Sequence, residues 1–139
     1  MERELLSITL LIVLVIALLA LFAITNSKKM HNKVRQQVLS DLKQIEKLIK
    51  QKNPLMYRDI IIRLDSLLAK SLQVKFGNDG SCGENLKKLK GFFNREMYDN
   101  IWEIHKLRNR VVHEDEEVDF SDISEGHKII KMAIEKILK

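Results

Sequence analysis

The sequence predicts an all-α protein: one N-terminal transmembrane helix followed by an up-and-down bundle of four to five helices. Three observations predict it. An uncharged apolar run fills Leu5 to Ile24, where fifteen of twenty residues are Leu, Ile, Val or Phe. Apolar residues then recur at spacings of three and four along most of the remaining chain, the period of one helix face. No window alternates at period two, as a half-buried strand would.

The first element is the apolar run, with no charged residue between Leu5 and Ser27. Twenty residues at about 1.5 Å rise span roughly 30 Å, the thickness of a bilayer's hydrocarbon core. Each Leu, Ile, Val or Phe contributes roughly −0.3 to −0.6 kcal/mol at a helix centre, so the run favours insertion by several kcal/mol. A cleaved signal peptide fits less well: the run is long, the start Met1-Glu2-Arg3-Glu4 is not basic, and no A-x-A site follows. Lys28, Lys29, Lys33 and Arg35 follow the run, whereas only Arg3 precedes it. The positive-inside rule then places residues 28–139 in the cytoplasm of a single-pass cell-membrane protein. The lone Cys82 and the lack of an N-x-S/T acceptor agree with a reducing compartment.

The expected organisation is an anchor over 1–27, a basic juxtamembrane amphipathic helix over 28–53 and a helical bundle over 54–139. In the juxtamembrane helix Val34, Val38, Leu42, Ile45 and Ile49 form a stripe, and it reads equally as a stalk or as the first bundle helix. Asn53-Pro54 ends it. A second helix is expected from Leu55 to Phe76, with Ile60, Leu64, Leu67, Leu68 and Leu72 buried. The glycines at 77, 80 and 83 mark a turn; without G-K-S/T or a preceding strand they do not form a phosphate loop. A short helix follows around Glu84 to Lys90, then a longer one from Arg95 to His113 with Met97, Ile101, Trp102, Ile104, Val111 and Val112. The acidic stretch Glu114 to Asp119 reads as a solvated loop. Ser121 or Asp122 is expected to cap the last helix, with Asp122 and Glu125 as a capping box and Ile123, Ile130, Ile134 and Ile137 as its stripe.

Composition narrows the function classes. One cysteine in 139 residues excludes an intrachain disulfide scaffold, and one apolar span excludes a polytopic transporter. Cys82 has no Cys or His at metal-ligand spacing, and nothing in the sequence requires a metal or a cofactor.

One constellation carries chemistry. At the end of the fourth helix, Asn109 and His113 are four apart and share a face, with Arg108 about 100° to the side. A fixed guanidinium can grip a phosphate bidentately and stabilise developing charge. A histidine can exchange a proton with a ribose 2′-hydroxyl or a leaving oxygen. One histidine does not readily serve as base and acid together, but two copies facing across a two-fold axis would. His105, two turns before His113 and about 80° round the helix, is poorly placed as that second group. A simpler role also fits: cations in a last turn interact favourably with the helix dipole and its free carbonyls.

The segment Leu107-Arg108-Asn109-Arg110-Val111-Val112-His113-Glu114 resembles the R-x4–6-H signature of the HEPN superfamily, including the polar residue directly after the arginine. The resemblance extends over roughly Pro54 to Leu138: an apolar helix from Asp59 to Leu68, a glycine-containing turn into Glu84-Asn85-Leu86-Lys87, then Ile101, Trp102 and Ile104 ahead of the motif. It implies a helical bundle that dimerises through the motif-bearing helices. For active members it implies a metal-independent endoribonuclease, with Arg108 and His113 as matched positions and Asn109 as the polar accessory. Other similar bundles act as nucleotide- or RNA-binding or assembly modules.

Residues 28–139 carry 23 basic and 17 acidic side chains. Lys87, Lys88, Lys90 and Arg95 form a candidate nucleic-acid patch, since phosphate contacts dominate such affinity. The acidic stretch beside His113 would repel RNA. The functional expectation is therefore a membrane-tethered HEPN-like module acting by homodimerisation and by binding a protein partner, a nucleotide or RNA. The alternative is an endoribonuclease with a composite site at the homodimer interface.

Overall fold

The computed structural model describes residues 1–139, and every regular element is helical. Helix α1 spans Glu2–Lys50, a 3-10 turn Pro54–Met56, α2 Tyr57–Phe76, α3 Cys82–Lys88, α4 Arg95–His113 and α5 Phe120–Ile137. The chain divides into two compact units, Met1–Val34 and Arg35–Lys139.

The first unit is helix alone. Its apolar side chains from Leu5 to Ile24 are all exposed, and an 18-residue window reaches a mean hydropathy of 3.2. It is long and apolar enough to cross a membrane. Ser7, Thr9 and Thr25 return their hydroxyls to carbonyls one turn back, so none is left as an unpaired donor.

The second unit is the bundle. It begins at Arg35, so the amphipathic stretch after the anchor is not a separate segment: Val38, Leu42, Ile45 and Ile49 are buried. The sequence left that stretch open between stalk and bundle, with the bundle starting at residue 54. Burial of four of its five stripe residues decides for the bundle from Arg35 onward, while Val34 is half-buried and belongs to the first unit.

α2 lies at the centre, packed against α3, α4 and α5. Its stripe of Ile60, Ile61, Leu64, Leu68 and Leu72 is fully buried. Ile101 from α4 and Ile123, Ile130 and Ile134 from α5 fill the space around it. Glycine permits one close approach: a Cβ on Gly126 would lie 3.4 Å from Ile104 and 3.5 Å from Ile61, so α5 settles onto both neighbours there.

Local signals set the helix ends. Gly77 closes α2 in the left-handed region at φ 59°, which costs an L-residue but not glycine. Ser81 and Glu84 form a reciprocal capping box that starts α3 two residues earlier than expected. α5 is capped by Asp119 with Asp122, not by Ser121 or Asp122. The D-x-x-D pair satisfies the backbone N–H groups of Asp119 and Asp122 reciprocally, and Phe120 as first helical residue lies against Tyr57 with ring centroids 6.4 Å apart.

Contacts fix the directions. His105 meets Asp65 and Arg58 meets Asp115, so α4 runs against α2. Lys131 approaches Glu46 at 4.0 Å, and Gln36 and Glu135 border one groove, so α5 runs against the 35–50 part of α1. The arrangement is up-and-down, with α3 as a short fifth helix.

Candidate functional site

Asp65 is the unexpected centre. It sits on the buried face of α2, one turn after Ile61 and one before Leu68, and its side chain is only 6% exposed. A carboxylate there requires partners, because desolvating an unpaired charge is costly. Three side chains supply them. His105 of α4 places Nδ1 2.7 Å from Oδ1, the Cys82 thiol donates to the same oxygen at 3.6 Å, and Arg108 Nε lies 3.7 Å from Oδ2.

His105 is held on all sides. Its ring meets Trp102 edge-on at 5.7 Å, and its Nε2 lies 3.4 Å from where a Cβ on Gly83 would stand. With 14% of its side chain exposed, it joins α4 to α2 beneath the start of α3. By spacing alone His105 is poorly placed to act with His113. The structure pairs it instead with Arg108, three residues on, through a carboxylate from another helix.

Arg108 turns toward Asp65 and donates from a terminal nitrogen to Asn109 Oδ1 at 3.0 Å, while its buried Nε has no hydrogen bond. Its side chain is 30% exposed, so one edge of the fork stays open. Asn109 is half-buried, whereas His113 is exposed in the last turn of α4. Arg108 and Asn109 are thus brought together, and the histidine sharing Asp65 with Arg108 is His105.

The loop after α4 is tied back by ion pairs. Arg110 donates to Glu116 and Arg58 to Asp115, whose φ of 52° lets the chain turn sharply away from the helix. Hydrogen bonding to Glu116 raises the pKa of Arg110. The acidic stretch therefore stays beside His113.

Asp65, Cys82 and His105 also present ligand atoms within 4.8 Å of one another, a cluster that sequence spacing alone did not reveal. Its chemistry suits a hydrogen-bonded core more than a metal. Burial, then the Asp65 charge, push the Cys82 thiol pKa well up, so it stays protonated. The Arg108 cation already lies against the carboxylate a dication would need.

Lys87, Lys88, Lys90 and Arg95 are exposed on α3, the following turn and the first residue of α4. Two lysines from other helices join them at Phe92: Lys75 lies 4.0 Å over its ring, and Lys136 donates to its carbonyl at 2.8 Å. Trp102 and Phe76 are half-buried.

The chain matches no protein-family model, no curated protein and no solved structure.

Proposed function

We propose that the chain is a single-pass membrane protein whose helical domain lies in the cytoplasm and works as a HEPN-like module. It acts by self-association and by binding a protein partner, a nucleotide or RNA. The apolar, wholly exposed Leu5–Ile24 stretch supports the anchor, since so large an apolar surface in water is unfavourable. The basic residues after it support the orientation.

One observation carries the choice of binding over catalysis. The motif arginine is drawn onto Asp65 in a buried polar cluster with His105, while the matched His113 stands exposed beside an acidic loop. A carboxylate against Arg108 lowers its value as a phosphate clamp, and it gives the arginine a clear structural task. The enzymatic reading draws on the open edge of Arg108, on Asn109 and on His113, which a second copy could complete.

The test uses the full chain in phosphatidylcholine nanodiscs with single-stranded RNA, with and without EDTA. The expected outcome is intact RNA, with Arg108→Ala lowering thermal stability. Cleavage that survives EDTA and disappears in a folded His113→Ala variant would replace this reading with the endoribonuclease.

A further inference from the structure

The bundle is electrically polarised along its length. One end carries Glu114, Asp115, Glu116, Glu117 and Asp119 in the loop between α4 and α5. The other gathers cations from four separate stretches of chain: Lys75 at the end of α2, Lys87 and Lys88 at the end of α3, Lys90 and Arg95 around the next turn, and Lys136 at the end of α5. Phe92, half-buried, holds this end together beneath Lys75 and Lys136. Its counter-charges are outnumbered and loosely held. Glu84 on α3 is drawn on by Lys87 and Lys88, Asp99 reaches Arg95 only at 3.7 Å, and Asp79, Glu96 and Glu135 are exposed and pair with none of the six.

The basic end is also the one where α1 joins the bundle, because Gln36 borders the same groove as Glu135, next to Lys136. Only seven residues lie between Ser27, the last residue before the basic ones, and Arg35. Chain length alone limits the distance from Ser27 to Arg35 to about 12 Å if helical and under about 30 Å if extended. Screening acts over roughly 8–10 Å, a distance from a charged surface that a tether of this length allows the basic end to reach.

We propose that this end of the bundle, built from Lys75, Lys87, Lys88, Lys90, Arg95 and Lys136 around Phe92, docks on the anionic headgroups of the bilayer. The inference rests on the anchor reading above and goes beyond it. The bundle lies against lipid by its basic end and turns its acidic loop, with His113, toward solvent. Each basic side chain at an anionic surface strengthens binding roughly five-fold, and the acidic end opposes the reverse orientation.

The test places a nitroxide label on Lys90→Cys in the full chain, with Ser124→Cys near the acidic end as control. Cys82 is buried and stays unlabelled. Collision with a neutral aqueous nickel chelate is measured in nanodiscs of phosphatidylcholine alone and of phosphatidylcholine with phosphatidylserine. Phosphatidylserine should lower the collision rate severalfold at position 90 and not at 124. High salt or the Lys87→Glu/Arg95→Glu pair should restore it. Equal rates in the two discs, in a chain that resists alkaline extraction from membranes, would overturn the docking and leave the anchor. A chain extracted by alkali would overturn both. Protection by added RNA without any lipid effect would reassign the patch to nucleic acid and overturn the proposal.

Discussion

Asp65→Ala tests how the helices are joined at the candidate site. The carboxylate is 6% exposed and accepts from His105 at 2.7 Å, within a side chain that is itself 14% exposed. A buried hydrogen bond to an ionised acceptor contributes about 1.5–3 kcal/mol. Arg108 lies at 3.7 Å with no hydrogen bond from Nε and 30% exposure, so its share is about 0.5–1 kcal/mol. The thiol at 3.6 Å adds little. Asp65→Ala should therefore cost about 2–4 kcal/mol, mostly through His105. The assay is urea unfolding of the full chain in detergent, followed by Trp102, the single tryptophan, whose ring meets His105. A double-mutant cycle of Asp65→Ala with His105→Ala should give a coupling of about 1.5–3 kcal/mol, larger than the cycle with Arg108→Ala. A coupling near zero with His105, or a larger one with Arg108, would mean that His105 is not the main partner of Asp65.

Three further outcomes follow from the packing. Leu68→Ala, at a fully buried position, should cost about 2–5 kcal/mol in the same unfolding assay. Gly77→Ala should cost about 1–2 kcal/mol although nothing lies within 4 Å of the new methyl, because the backbone stays at φ 59°. His127 is held below its usual pKa by burial, and by Lys131 against the opposing pull of Glu46 and the Leu42 backbone. Its neutral form is the one that suits the fold. The resulting stability is complete above the unfolded-state value near 6.5 and is lost as pH falls from there toward the folded-state value. His127→Gln should flatten this part of the stability–pH profile, and an unchanged slope would count against the assignment.

The helices were legible because their apolar stripes keep one period over several turns. The stripe in α2 and the Arg95–His113 limits of α4 needed nothing beyond spacing and punctuation. The start of α5 was less legible, because Asp119 and Asp122 compete as caps and only the Phe120–Tyr57 packing separates them. The site was half legible. Arg108 and Asn109 stand out from their chemistry and spacing, but Asp65 is forty residues from His105 and seventeen from Cys82 in sequence. Their meeting is a product of helix packing, to which a reading of single helices is blind. One signal was present: Asp65 interrupts the apolar face between Ile61 and Leu68, and a carboxylate on a buried stripe calls for cationic or donor partners. His105 and Arg108, three apart on α4, are what it finds.

Lys106 is the position from which to measure the proposed self-association along α4. Lys106 is exposed and shares a helix face with Asn109 and His113. Confinement to a bilayer would raise the effective concentration of two copies, so even a weak interface would be occupied there. Lys106→Cys and, as a control, Lys47→Cys are reconstituted as the full chain at low protein-to-lipid ratio and oxidised, and the fraction of disulfide-linked dimer is followed. Cross-linking at 106 should be rapid and far exceed that at 47. Equal slow cross-linking at both positions, as for copies that meet only by random collision, would contradict it.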